Sequence, residues 1–154
     1  MPNIMNLEIQ AIWYVELNEV QEEVRSIEEL NRVIGRLETL RSGRLWVGRD
    51  GVQRPWWQRF LGAQPRYVDA LFSLEWFDQY ACLIFYDERW SEYRVLDDTM
   101  PVFPVEEVRS KISHGELQAY SVEECMKKDR AIAAIQEFVD HGSRPNWLKY
   151  RYVA

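Results

Sequence analysis

Tyr67-Val68-Asp69-Ala70-Leu71-Phe72-Ser73-Leu74-Glu75-Trp76, then Phe77-Asp78-Gln79, then Tyr80-Ala81-Cys82-Leu83-Ile84-Phe85-Tyr86, is the stretch whose reading decides the fold. In its first part Val68, Ala70, Phe72, Leu74 and Trp76 alternate with Asp69, Leu71, Ser73 and Glu75, a period of two that lays one apolar face on a core. The second part is apolar at all its positions, which suits a strand covered on both faces and is too short for a buried helix. Polar turns follow each part, at Phe77-Asp78-Gln79 and at Asp87-Glu88-Arg89, and a shorter strand, Glu92 to Leu96, closes a meander.

The rest of the chain is placed by what it packs against this meander. Leu7, Ile9, Ala11, Trp13, Val15 and Leu17 alternate with Glu8, Gln10, Ile12, Tyr14 and Glu16, as in a long half-buried strand. Asn18 to Arg25 reads as a charged connector. Ser26 with Glu29 three residues later forms a capping box, and Ile27, Leu30, Val33, Ile34, Leu37 and Leu40 give one buried helix face that stops at Ser42-Gly43. Arg44 to Val47 reads as a short strand and Gly48-Arg49-Asp50-Gly51 as a turn. Pro104 opens a short helix with Val105, Val108 and Ile112 inside, Gly115 ends it, and Glu116 to Val122 is a brief strand carrying Tyr120. Lys128 to His141 is a second long helix with Ala131, Ile132, Ile135, Phe138 and Val139 on its apolar stripe. Gly142 and Pro145 stop it, and Trp147 to Tyr152 forms a last strand. The expected fold is α+β: a mostly antiparallel β-sheet meander with two main helices and one short helix packed on it, as a single domain over residues 1–154.

At 154 residues with 47% apolar and 29% charged side chains, the chain can bury one full core and is not of disordered composition. No run of about 18 apolar residues is present to span a membrane. The start, Met1 to Glu8, shows no basic region followed by an apolar one, so the sequence predicts no signal peptide and a cytoplasmic protein. Cys82 and Cys125 lack metal-ligand spacing and fit reduced, buried thiols better than a disulfide framework. The net charge of −6 is uneven. Residues 41 to 66 carry six arginines against one acid, whereas residues 67 to 107 carry ten acids against two arginines. Overall acidity favours a basic partner over a nucleic acid, while the bland reading of such runs is a solvated surface.

Clusters that carry catalysis are missing from the pattern. The two histidines, His114 in a loop and His141 in a last helical turn, have no Cys-x-x-Cys or His-Glu-x-x-His partners, so no metal or other cofactor is expected. No glycine-rich phosphate loop and no Gly-x-Ser-x-Gly elbow occurs. Asp87, Glu88, Glu92, Asp97 and Asp98 sit at turns, where water gives little desolvation to separate two carboxyl pKa values, so they read poorly as an acid and base pair. They read better as the charged rim of a binding surface around Trp90. The segment from Gln53 to Arg66, with Trp56 and Trp57 among arginines, is a second binding candidate, with core plugging by the two indoles as its bland alternative. Stacking of single-stranded nucleic acid on Trp56 and Trp57, with Arg49, Arg54, Arg59 and Arg66 on phosphates, is the other function that this loop suggests.

The C-terminal third carries a further signal. Tyr120-Ser121-Val122-Glu123-Glu124-Cys125, the Ala-rich helix from Ala131 ending in Glu137-Phe138, the Gly142-Ser143-Arg144-Pro145 turn and the strand from Trp147 to Tyr150 resemble the end of a family of bacterial polymorphic-toxin immunity proteins. It is the first-numbered of the immunity families, of the kind neighbouring deaminase and nuclease toxins. Phe72 to Trp76 and Cys82 to Phe85 are similar to its central hairpin. The likeness covers residues 67 to 152, and the N-terminal strand and helix match only by order of elements. The resemblance implies an α+β protein without catalysis of its own that protects its cell by binding a cognate toxin domain acting on nucleic acid. It does not hand over contact residues, because toxin-facing positions vary with the toxin, and the loop from Gln53 to Arg66 is this sequence's own elaboration.

Overall fold

A computed structural model describes residues 12–53, 66–97, 111–112 and 120–154. The strands are β1 (Trp13–Leu17), β2 (Val20–Val24), β3 (Ser42–Gln53), β4 (Arg66–Phe77), β5 (Tyr80–Tyr86), β6 (Glu92–Leu96), β7 (Met126–Lys127) and β8 (Lys149–Val153), with helices α1 (Ile27–Arg36) and α2 (Lys128–His141). All the pairings are antiparallel, in the order β2-β1-β3-β4-β5-β6-β8, with β7 joined to β5. The α+β sheet expected from the meander is what forms.

β5 has three partners, β4, β6 and β7. Its alternate residues divide between two cores. Ala81, Leu83 and Phe85 join Phe72, Leu74 and Trp76 in the main core under the helices, whereas Cys82 and Ile84 meet Ile112, Tyr120 and Cys125 in a smaller cluster on the opposite face. That two-sided burial is why the strand is apolar throughout.

α1 supplies Leu30, Val33 and Ile34 to the main core, and a 3-10 turn, Leu37–Thr39, adds Leu37. The Ser26 hydroxyl accepts from the Glu29 N–H at 3.1 Å, and the Glu29 carboxylate accepts in return from the Arg25 N–H at 3.3 Å. The capping box is therefore reciprocal but reaches one residue further back than its usual form. α2 buries Ala131, Ile132, Ala134 and Ile135 and ends at Gly142, whose φ of 75° is the left-handed stop.

Three expectations are corrected. Asn18 to Arg25 is no connector: Asn18 and Glu19, at φ 49° and 69°, make a two-residue hairpin turn, and Val20–Val24 is the edge strand β2. Both central residues left-handed is the turn whose twist matches antiparallel strands. Ser42 and Gly43 open β3 rather than ending the helix, and a Cβ at Gly43 would lie 2.5 Å from Asn18 Oδ1 and 2.6 Å from the Trp76 ring. Glycine is required there by close approach. Gly48-Arg49-Asp50-Gly51 continues β3 instead of turning, because β1 and β4 pair with Gly48 and Arg49 on both sides and β4 with Asp50. A register shift between Val47 and Gly48 leaves Leu71 as the extra residue of β4, which sets it against the main core beside Phe72.

Smaller differences lie near the C-terminus. Tyr120 and Ser121 are not in a strand but precede a 3-10 turn, Val122–Glu124, and the last strand begins at Lys149 rather than Trp147. The segment opened by Pro104, with Gly115 and His114, and the N-terminal Leu7 to Ala11 lie outside the described residues, although helical Ile112 is fully buried.

Candidate functional site

The sheet face opposite the helices divides into a covered half and a half that no described segment covers. Over β5, β6 and β8 it carries the smaller apolar cluster and a polar network. Arg94 meets Glu92 at 2.9 Å and Glu124 at 2.7 Å, and Arg151 meets Glu124 at 3.0 Å. The Tyr120 hydroxyl donates to Glu75 at 3.1 Å, and Arg44 lies 3.5 Å from the same carboxylate. Burial works against the Arg94 charge, but the Glu124 and Glu92 carboxylates win and hold its pKa above the ordinary value. Burial, with Glu75 adding to it, pushes the Tyr120 phenol well up. The Cys82 and Cys125 sulfurs are 3.5 Å apart, both thiols are buried and not joined as a disulfide, and burial first and Cys125 second raise the Cys82 pKa. A thiol so held stays protonated and is a poor nucleophile.

Over β2, β1 and β3 no described segment covers the same face, where Tyr14, Glu16 and Trp46 are half-buried. Residues directly opposite one another form a row across the strands: Gln21 of β2, Glu16 of β1, Trp46 of β3 and Ser73 of β4. The next row runs Glu23, Tyr14 and Gly48. Gly48 puts no side chain beside Tyr14, and the surface is hollowed into a groove of about 510 Å³ lined by Tyr14, Glu16, Gln21, Glu23 and Trp46, with Val15 and Glu22 at its margin. Tyr14 is fixed by its hydroxyl, which donates to Asp50 Oδ1 at 2.8 Å.

Trp90 roofs one end of this row. Its ring stacks on Trp46 with centroids 6.3 Å apart and planes at 28°, and Tyr86 lies 6.4 Å away. The Tyr86 hydroxyl is within 2.9 Å of Ser73 Oγ, and burial raises its pKa despite that bond. Trp90 remains 54% exposed and sits at φ 62°. A left-handed backbone costs a residue with a Cβ about 1–2 kcal/mol, and such strain persists only where surrounding bonds enforce it. The enforcing group is Asp87, whose Oδ1 accepts from the Arg89 and Ser91 N–H groups, both at 2.9 Å, while its carbonyl accepts from the Trp90 N–H at 3.0 Å.

The residues singled out in the sequence therefore separate. Asp87, Glu88 and Trp90 come together in the β5–β6 turn, with Asp87 holding the turn and Glu88 exposed. Glu92 is half-buried and neutralised by Arg94. Asp97 is no part of a rim: it is 5% exposed, its N–H donates to the Glu123 carbonyl, and Arg130 lies 3.5 Å from Oδ2. The five-residue β6 separates it from Trp90 by roughly 16 Å of strand. Trp56, Trp57 and Asp98, with Arg54 and Arg59, lie outside the described residues. Arg49 is described and covers the Trp13 ring at 5.7 Å, on the helix-side face rather than at the groove.

Tyr14, Glu16, Glu23 and Trp46 were not marked in the sequence as binding residues. Their signal was present in the alternation itself, since Tyr14 and Trp46 fall on the polar side of strands whose other side carries Val15, Leu45 and Val47. Among the described residues, no group of three or more His, Cys, Asp or Glu is placed to hold a metal ion. The uncovered face is an aromatic surface with carboxylates around it, and exposed aromatic side chains are among the residue types enriched at binding surfaces. No protein-family model matches the chain, and no curated protein matches its sequence.

Proposed function

We propose that this chain is an immunity protein: it binds a cognate bacterial toxin domain that acts on nucleic acid and neutralises it by covering the substrate-binding cleft. The observation that carries the reading is Trp90, half exposed in a left-handed backbone and stacked on Trp46 beside the groove of Glu16 and Glu23. An indole held outward at a cost to the fold is the kind of rigid aromatic anchor that dominates binding energy. Enzymes that grip nucleic acid line their clefts with lysine and arginine for the phosphates, so a carboxylate-bearing face is complementary to such a cleft and steers association with it. The likeness of residues 67 to 152 to toxin-immunity proteins supports the same partner. In this reading the chain performs no chemistry, takes no cofactor, contacts no nucleic acid directly, and acts in the cytoplasm of the producing cell during interbacterial competition. No helix among the described residues is long and apolar enough to cross a membrane.

The test is co-expression with the toxin domain encoded beside this gene, scoring survival and co-purification. Survival with a stable complex is expected, lost together when Trp46 and Trp90 are both replaced by alanine. Survival without a complex, or a complex indifferent to both indoles, overturns the reading.

A further inference from the structure

The chain covers several of its own rings with cationic side chains, lysines over Phe77 and Trp76 and arginines over others. Arg49 lies over Trp13 at 5.7 Å, Arg94 over Tyr120 at 5.6 Å, Arg130 over Trp147 at 4.8 Å, and Arg144 over Tyr93 at 3.6 Å and Tyr150 at 4.9 Å. In two of these cases the same guanidinium also meets a carboxylate: Arg94 with Glu92 and Glu124, and Arg130 with Asp97. Ring, carboxylate and guanidinium thus recur as a unit.

At the groove the unit is present without its cation. Glu16 stands directly opposite Trp46 across β1 and β3, which puts their Cβ atoms about 5 Å apart. Among the described residues, the Glu16 carboxylate is met only by the Gln21 amide at 3.3 Å, and neither Trp46 nor Trp90 carries a cation over its ring. Glu23, which also lines the groove, shares an exposed pair with Arg25 at 3.5 Å, which solvent weakens.

We infer that the groove takes an arginine side chain of the partner, its guanidinium laid on Trp46 and bonded at its edge to Glu16. The inference rests on the reading that this face binds the partner. Arginine fits better than lysine because a flat guanidinium stacks on an indole while its in-plane N–H groups reach a carboxylate, whereas an ammonium is a compact, strongly hydrated charge. An anionic ligand is disfavoured by the carboxylates.

The probe is the blocked peptide Gly-Arg-Gly-Arg-Gly, with lysine and citrulline versions, titrated into the full chain while the indole N–H signals are followed by NMR. Trp46→Phe and Trp90→Phe assign the two signals. The arginine peptide is expected to move both and to bind about threefold to fivefold tighter than the lysine peptide. The citrulline peptide leaves both unmoved, and Glu16→Gln weakens the arginine peptide by a similar factor. Equal binding of arginine and lysine peptides, or shifts confined to other indoles, overturns the inference. The two readings fail separately. If Trp46→Ala still neutralises the toxin domain, the binding face itself is wrong. If Trp46→Ala abolishes neutralisation but arginine and lysine peptides bind alike, only the arginine assignment falls.

Discussion

Replacing Trp90 separates what the residue costs the fold from what it gives to binding. In Trp90→Ala the ring is lost but a Cβ remains at φ 62°, so the backbone penalty persists. The ring is roughly half exposed and stacks on Trp46, so its removal forfeits about 1–2 kcal/mol of partial burial and ring contact. Trp90→Gly forfeits the same contacts but relieves about 1–2 kcal/mol of left-handed strain, less about 0.5–1 kcal/mol for the freedom glycine adds to the unfolded chain. The glycine variant should therefore be more stable than the alanine variant by about 0.5–1 kcal/mol, or about 1–4 °C in Tm for a domain of this size. Urea and thermal unfolding of the pair measure the difference. Affinity for the toxin domain should behave otherwise, both variants losing about 2 kcal/mol or more, some 30-fold. An alanine variant as stable as the glycine variant would refute the strain argument, and retained affinity in either would refute the anchor.

Asp87 acts through the turn rather than through its charge. Asp87→Ala should destabilise by about 1–2 kcal/mol and weaken binding, whereas Asp87→Asn, which keeps an oxygen acceptor, should retain most of both; equal effects on unfolding and affinity would contradict this. Glu19 sits at φ 69° in the β1–β2 hairpin, so Glu19→Gly should raise stability by about 0.5–1 kcal/mol in chemical unfolding, and a loss would count against the turn assignment. Burial raises the pKa of Tyr120, Tyr86 and Cys82, and that of Tyr150 is pushed up to about 12, so the folded chain keeps protons that the unfolded chain releases above about pH 9–10. Stability is then fully present below that pH and falls as pH rises, with each such proton contributing at most about 1.4 kcal/mol per pH unit. Urea midpoints at pH 8 and pH 10.5 test it: the midpoint should drop, and Tyr120→Phe should make the drop shallower. A midpoint that does not change would show that these groups titrate normally.

The fold was legible where burial imposes a period. β4 alternates because one face meets the helices, β5 is apolar throughout because both faces are covered, and α2 ends at Gly142 as its stop signal requires. β2 was not legible, since Val20-Gln21-Glu22-Glu23-Val24 lies at the sheet edge with four of five residues exposed, and pairing to β1 makes it a strand. Gly48 to Gly51 looked like a turn because glycine is usually read that way, yet ladders on both sides of Gly48 and Arg49 keep the strand going. The candidate face was half legible. Trp90 stood out in its turn, but whether Trp46 and Tyr14 meet water depends on which half of the face other segments cover. That is a property of strand order. Asp97 was misplaced because the local sequence at the end of β6 does not reveal that the Glu123 carbonyl and Arg130 close over it.

If this face covers a toxin's substrate cleft, as we propose, the face and the nucleic-acid substrate compete for that cleft. The most direct measurement titrates the chain into the purified toxin domain bound to a fluorescent, uncleavable substrate oligonucleotide and follows anisotropy. Stoichiometric release of the oligonucleotide is expected from the natural chain and little release from the Trp46→Ala, Trp90→Gly double variant at equal concentration. A ternary complex of chain, toxin and oligonucleotide, or equal displacement by the double variant, would contradict it.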